Sequence, residues 1–579
     1  MKHLKYLNKF LWKYKNILFL GLIFIVITNI FAIYPAEFVR NALDELILKL
    51  NAENKENLSL ILLKYGLLIV LFAVLKGIFL YMTRQTIIVM SRKIEFDLKN
   101  EIFDKYQKLS IGFYKQNKTG DLMNRITEDI SKVRMYLGPA VMYSINLTVL
   151  FSLVIYRMFS VSEILTTYVL FPLPILAISV YFVSNRINKK SERVQAQLST
   201  VTAIAQESFS GVRIIKSFTN EENTLNVFFQ SCKEYTKRQI ALIKIEAMFI
   251  PLIITLIGIS TVLTIYIGGL EVFKGNITTG NIAEFIIYVN MLSWPVASVG
   301  WVTSLIQRAA ASQERINEFL SKKPQIKNNI LEQTEIVGPI KFNQVSLTYH
   351  DTGIKALDNI TFNINSGEQL GIFGKTGSGK STIVNLICRL YDVNSGEITI
   401  NDINIKNHNL DCLRSSIGYV PQDGYLFSGT IRENICFSSD NQNEEDVIEA
   451  AKKAEIFDEI NSFPKKFETV VGERGVQLSG GQRQRLAIAR VFYKKPKIYI
   501  FDDCLSAVDA NKEKNILQNL KKETASKTTI IISHRTSTLE KSDNILVIDK
   551  GKIIEEGPHS TLIKNQGFYS QIHVNQSNN

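Results

Sequence analysis

Cysteine is scarce in this 579-residue chain, and its five copies (Cys232, Cys388, Cys412, Cys436 and Cys504) stand far from one another. No C-x-x-C pair occurs, so neither a disulfide framework nor a zinc site is indicated. All five fall in segments placed below in the cytosol, where reduced thiols are expected. A small-residue cleavage site after the first apolar run is also missing. That run, preceded by the basic stretch Met1 to Lys15, therefore reads as a first membrane span and not as a removed signal peptide. Low-complexity segments are absent. The net charge of +13 is not gathered on one helix or arm but spread over the loops, which argues against nucleic-acid binding.

What is present is length and apolar runs. A chain of this size is too long for one core, so two or more domains are expected. A positive mean hydropathy beside a strongly basic charge fits apolar spans joined by basic cytoplasmic loops. Stretches near the length needed to cross a bilayer as helix lie at Asn16–Tyr34, Leu60–Met82, Gly138–Met158, Leu165–Val183, Phe249–Gly269 and Ile282–Leu305. The third and fourth are nearly continuous, with Phe159 to Ile164 between them. Lys2, Lys5, Lys9, Lys13 and Lys15 precede the first span, and the long segments Arg84–Arg134 and Asn185–Lys244 are rich in Lys and Arg. The connection holding Asp44, Glu45, Glu53 and Glu56 is acidic. Both termini and both long segments are thereby assigned to the cytoplasm. Ile94, Leu98, Ile102, Phe103 and Tyr106 recur at helical spacing, so the spanning helices are expected to continue into the cytosol.

After Phe319 the polar run Ser321-Lys322-Lys323-Pro324 reads as a linker. Beyond Ile340, short β runs (Leu370–Phe373, Ile417–Pro421, Lys497–Phe501, Thr529–Ser533, Asn544–Asp549) alternate with helical patterns, the mark of a largely parallel α/β sheet. Between one such strand and the helical run Thr382 to Leu390 stands Gly374-Lys375-Thr376-Gly377-Ser378-Gly379-Lys380-Ser381, a phosphate-loop pattern in its proper context. Backbone N–H groups close on a phosphate only where no side chain blocks approach, hence the glycines. Lys380 supplies a point charge and the Ser381 hydroxyl a hard oxygen for Mg²⁺, with Thr382 following. A second segment, Leu478-Ser479-Gly480-Gly481-Gln482, opens a basic helix (Arg483, Arg485, Arg490) whose N-terminus favours another anion. No second copy of the pattern occurs, so the chain is a half-size unit.

The two segments together resemble an ABC-type ATPase, in which each signature segment completes a partner's ATP site. The resemblance implies a role for each further motif. Tyr349, after Val345-Ser346-Leu347-Thr348, would stack on adenine, worth about 1–3 kcal/mol. Lys497 to Asp502 resembles the Walker B strand, with Asp502 holding Mg²⁺ alongside Ser381 and Gln422. Gln422 resembles the loop glutamine that senses Mg²⁺ and the membrane domain. Ser506-Ala507-Val508-Asp509 resembles the segment where two ATPase domains touch, and His534 the switch histidine that contacts the γ-phosphate. In the membrane half, Phe113-Tyr114 with Thr119 to Arg125, and Glu207, Gly211, Lys216, Phe218 and Glu221, resemble exporter coupling elements. Thr469 to Gly475 resembles the segment they dock on. The resemblance spans nearly the whole chain and is to half-transporters of the multidrug and lipid exporter group.

The expected architecture is an all-α membrane domain of six helices with long cytoplasmic extensions (1–322), a linker (323–338) and an α/β P-loop ATPase domain (339–579). The expected function is ATP-driven export of lipids or amphipathic molecules by alternating access. ATP and Mg²⁺ are the cofactors, and a bacterial inner membrane is the location. An ATP-gated regulator or channel is the rival from another class. A soluble ABC protein is disfavoured by the six spans, and an importer by the fusion of the two domains. Lipid, drug and peptide exporters share every motif above, although the lack of an N-terminal peptidase-like domain argues against leader-peptide processing.

One departure stands out. Asp503 follows Asp502 where the family's active sites carry a glutamate that polarises the attacking water. The aspartate is one methylene shorter, which withdraws the carboxylate by about an ångström and costs on the order of 10²-fold in rate. The alternative is that backbone adjustment or a water compensates. A slow, ATP-retaining site here, with an intact signature serving a partner, matches the degenerate-site subunit of heterodimeric bacterial exporters. The intact His534 weighs toward a homodimer. In the second span, Lys76 before Gly77 is either a contact for an anionic headgroup or one half of an ion pair with a carboxylate on a neighbouring helix. Lys64 and Arg157 are expected to snorkel, Pro295 to kink its helix, and Tyr288, Trp294 and Trp301 to form a helix–helix core, the alternative being that they line a substrate path.

Overall fold

In the computed structural model the chain is described over residues 2–51, 58–328, 330–439, 443–472, 475 and 478–577, and it divides into two compact units. The first comprises Met1–Gln107 and Gly120–Lys322; the second comprises Lys108–Thr119 and Lys323–Asn579. A twelve-residue piece of the first cytoplasmic segment thus packs with the C-terminal unit. Glu53 and Glu56 of the acidic connection lie outside the described residues, as do Glu473 and Arg474.

In the first unit six helices are long and apolar enough to cross a membrane: Lys15–Leu50, Leu58–Lys108, Thr119–Val161, Glu163–Ser210, Glu221–Phe273 and Thr279–Ser321. The second of them leaves Leu60, Leu67, Val70 and Val74 exposed, as suits a helix whose solvent is hydrocarbon. The helices meet in a core that includes Ile33, Val154, Met158, Leu176, Val180, Phe285 and Tyr288. The connection between the third and fourth spans shrinks to Ser162. Its extended backbone (φ −157°, ψ 118°) breaks the helix, and its hydroxyl accepts the Leu165 N–H to start the next.

Three side chains depart from the reading above. Arg157 does not merely snorkel: it lies 3.6 Å from Glu37, in a chain of charges that continues through Arg40 to Glu284 at 3.2 Å. Tyr288 is buried as expected and donates its hydroxyl to Glu284, but Trp294 is 72% exposed and Trp301 is 44% exposed, resting edge-on against Tyr143. Lys76 is exposed, and the ion pair with a neighbouring helix that is one of its two readings is not made among the described residues.

The second unit is built on strands β1 (Ile340–Thr348), β2 (Lys355–Ile364), β3 (Gln369–Gly374), β4 (Ser395–Ile400), β5 (Ile403–Asn404), β6 (Ile417–Val420), β7 (Gly429–Thr430), β8 (Val470–Val471), β9 (Ile498–Asp502), β10 (Thr528–Ser533), β11 (Asn544–Asp549) and β12 (Lys552–Gly557). The main sheet runs β12-β11-β3-β10-β9-β6, parallel throughout except for the antiparallel edge strand β12. An antiparallel sheet in the order β2-β1-β4-β5 lies in the same unit. Both faces of the main sheet are covered, which is why its strands read as unbroken apolar runs. The alternation shows in β9: Ile498 and Ile500 enter one core, Tyr499 and Phe501 the other. Burial of each such side chain is worth about 1.5–3 kcal/mol. Because β3, β6, β9 and β10 are parallel, their C-terminal ends come out along one edge, where ligands of open α/β sheets bind.

Candidate functional site

At that edge Gly374 ends β3 and a helix begins at Lys380. A Cβ on Gly374 would run into the Ile548 carbonyl oxygen, and Gly379 holds φ +107°, a conformation that only glycine adopts without strain. The turn is thus tight and bare, with its amides at the N-terminus of Lys380–Ile387. Lys380 is buried and folds across the loop, donating from Nζ to the carbonyls of Gly374 and Lys375, each at 2.8 Å. Burial pushes its ammonium down, opposed by the charges of Asp503 and Asp502. Ser378 is buried, and its hydroxyl has no partner among the described residues. Lys375 turns away to lie over the Phe568 ring at 5.2 Å.

A cleft of about 550 Å³ opens beside the loop, lined by Tyr349, Thr376, Gly377, Gly379, Lys380, Ser381, Thr382, Gln422, Asp502, Asp503 and His534 among others. The carboxylates come from the end of β9. Asp502 is buried, and that burial pushes its carboxyl up against a hydrogen bond from Ser381 and one from Tyr419. Asp503 has φ +46°, and its N–H donates to the Ile532 carbonyl of β10 at 2.9 Å. Its Oδ2 accepts from Gln422 Nε2 at 3.5 Å and faces His534 Nε2 at 3.9 Å. Ser381, Asp502 and Gln422 each line the cleft and carry a hard oxygen, the donor type that suits Mg²⁺. A carboxylate, an amide and an imidazole converging on one point can hold and polarise a water molecule.

Tyr349 donates to or accepts from Thr382 Oγ1 at 3.1 Å and meets Tyr391 edge-on. Above both rings lies Lys115, on the short helix Ile111–Gln116, with Nζ 5.0 Å from the Tyr349 ring centre and 5.3 Å from that of Tyr391. Lys115 lines the cleft, and nothing in the sequence singles it out: one lysine in a basic loop carries no pattern. Lys115→Ala is expected to raise the ATP concentration for half-saturation about two- to tenfold, from the loss of a cation–π contact on the tyrosine platform. Titration with a fluorescent ATP analogue measures this, and Lys115→Arg should retain most of the affinity.

The signature segment is elsewhere. Leu478, Ser479, Gly480, Gly481 and Gln482 do not line the cleft. Ser479 caps the helix Gly480–Lys494, accepting the Gln482 N–H, while the Gln482 side chain accepts the Ser479 N–H at 2.9 Å. The basic residues after it turn inward. Arg485 grips Glu459 with two nitrogens at 2.8 and 2.9 Å, and Arg490 binds the Asn434 and Tyr425 carbonyls beside the stacked rings of Phe427 and Phe437. Burial pulls the Arg490 guanidinium down to about 10. These two arginines therefore hold the unit together and are not free for an anion. The Ser506–Asp509 segment is tied back by Gln484, which accepts the Ala507 N–H, and by Arg535, which donates to the Ser506 carbonyl.

Residues 18–296 match the family described as the ABC transporter transmembrane region, and residues 357–506 match the ABC transporter family. The chain is 33% identical over 96% of its length to a probable multidrug resistance ABC transporter ATP-binding/permease protein, YheI, of Bacillus subtilis, covering 94% of that protein. It is 34% identical over 93% of its length to an ATP-dependent lipid A-core flippase of Syntrophus aciditrophicus, covering 88% of it. The solved structure of a bacterial Atm1-family ABC exporter with ATP bound shares the fold, with a TM-score of 0.79 at 24% identity over 98% of each chain.

Proposed function

This chain belongs to the ABC transporters, a membrane region fused to an ABC ATPase unit, and from that premise we propose that it is one half of a dimeric exporter of lipids or amphipathic molecules. The observation that carries this reading is the separation of the two phosphate-binding elements. The cleft has a loop, Lys380, two carboxylates, Gln422 and His534, yet no signature residue lines it. A partner's signature segment would close it, and this chain's Ser479 would close the partner's. The second cytoplasmic segment supports a partner too: Ile214, on the helix Val212–Ser217, and Phe218, just after it, are exposed on the single chain.

In the proposed cycle Lys380 and the loop amides bind the phosphates of ATP, and the Tyr349 ring carries the base. Ser381, Asp502 and Gln422 would hold Mg²⁺, which neutralises phosphate charge when bound. Asp503 orients and deprotonates the attacking water, while His534 contacts the γ-phosphate. Closure of two such units would swing the membrane helices between inward- and outward-facing states, and hydrolysis would reset them. ATP drives this only through tighter binding to the closed state. The names of the two relatives, a multidrug transporter and a lipid flippase, support an amphipathic or lipid cargo. The Lys-rich flanks support a bacterial inner membrane with both termini and the ATPase unit inside. Asp503 favours a heterodimer in which this chain supplies the slower site.

The test is reconstitution into lipid vesicles with the ATPase units outward, reading uptake of a fluorescent amphipathic dye and flipping of a labelled lipid. ATP-dependent movement of either, absent in Lys380→Met, is the expected result. Nucleotide-dependent conformational change without movement of any such cargo, with or without a partner half, would instead establish the ATP-gated regulator.

A further inference from the structure

Outside the ATP cleft, a cluster of ligating side chains forms where three short helices meet: Thr536–Leu539, His559–Lys564 and Phe568–Ser577. Glu540, His559 and His573 each present one ligand atom there, and these atoms lie within 4.8 Å of one another. None of the three lines the cleft.

A hydroxyl engages Nδ1 of each histidine. Gln576 donates its amide nitrogen to the His534 carbonyl at 2.8 Å, which turns its amide oxygen toward Thr536. The Thr536 hydroxyl lies 3.0 Å from that oxygen and 2.9 Å from His573 Nδ1. The Tyr569 hydroxyl lies 2.9 Å from His559 Nδ1 and 3.4 Å from the Thr536 carbonyl oxygen. Each histidine thus has a hydroxyl against its Nδ1, and its Nε2 makes no hydrogen bond among the described residues. Two imidazoles, each anchored through Nδ1 to a hydroxyl and set beside a carboxylate, have the orienting outer contacts that metal-ligating histidines need.

We propose that Glu540, His559 and His573 form a binding site for a divalent transition-metal ion, with Zn²⁺ the best match to two imidazole nitrogens and one carboxylate. The remaining coordination positions fall to water, since Glu540 is exposed and both histidines are half-buried. The site ties the C-terminal helix to the segment that carries His534, through Thr536 and Gln576.

The experiment uses the full chain in nanodiscs without a polyhistidine tag, in excess Mg²⁺. Zn²⁺ is titrated against a chromophoric chelator, and Co²⁺ is added to read its visible absorption. One equivalent per chain is expected, with affinity falling about tenfold or more in His573→Gln and in Glu540→Gln, and by about 10–100-fold in Thr536→Val. Unchanged binding of a fluorescent ATP analogue shows that these variants are folded. No tight equivalent in the wild type overturns the proposal. So does Zn²⁺ binding of equal strength in wild type, His573→Gln and Glu540→Gln, which would place the ion on other groups such as His534 with Asp503.

Discussion

Asp503→Glu is expected to speed ATP turnover by about 10²-fold, or about 2.7 kcal/mol of barrier. Two features of the backbone remove the chance that the chain shifts to compensate for the missing methylene. The Asp503 N–H is held by the Ile532 carbonyl at 2.9 Å, which locks the residue to β10. The preceding residue, Asp502, is the last of β9 and is buried between neighbours in the parallel ladder. Only the side chain can reach farther, and aspartate's already points at Gln422 and His534. The substitution has a cost of its own: at φ +46° an aspartate is tolerated better than a glutamate, by a difference that should lower stability by up to about 1 kcal/mol. Phosphate release by the purified chain in nanodiscs, wild type beside variant, measures the effect. Equal rates would mean that a bridging water does the work of the methylene, and the chain would then be a working homodimer.

The second large effect concerns stability. Glu459→Ala should destabilise the ATPase unit by about 3 kcal/mol and lower its melting temperature by about 6–12 °C. Arg485 is almost fully buried, and Glu459 meets it with both oxygens while also accepting from Lys512. Removing the carboxylate leaves a buried guanidinium with carbonyl oxygens alone. Although burial pushes the Glu459 carboxyl up, hydrogen bonds from Arg485, Lys512 and Gln482 outweigh it and hold it at about 2, below an ordinary value of 4.5. A depressed folded-state pKa contributes stability that is fully present above pH 4.5 and is lost as pH falls toward 2. Calorimetry across that window should show the wild type losing stability more steeply than Glu459→Ala. Parallel curves would mean that the pair is screened by water.

The parts of the site that were legible in the sequence are those whose chemistry is local. A glycine-rich turn between strand and helix, an apolar strand ending in Asp502, and a glutamine or histidine just past a strand each announce themselves within a few residues. The parallel sheet then brings Lys380, Asp502, Asp503, Gln422 and His534 to one cleft, because parallel strands end on one side. What stayed hidden depends on distant partners. Lys115 reaches Tyr349 from more than two hundred residues away, and Arg40 reaches Glu284 over a similar span. Arg485 and Arg490 looked like anion ligands because charge on a helix says nothing about which way the side chain turns. Glu540, His559 and His573 are separated by irregular intervals and form no motif, so only folding reveals them. Trp294 shows the converse error: its apolar bulk pointed to a core, but a bilayer gives an outward ring an apolar surround as well.

The ATPase unit is not a continuous stretch of chain, for residues 108–119 are threaded into it from between two spanning helices. A fragment cut at the linker would leave behind the lysine that covers Tyr349 and the serine whose hydroxyl accepts the Ile326 N–H. Chimeras that exchange ATPase units at residue 323 would likewise graft each new base-binding tyrosine onto a foreign loop. Nucleotide affinity in such hybrids would track the donor of the membrane half as well as the donor of the ATPase.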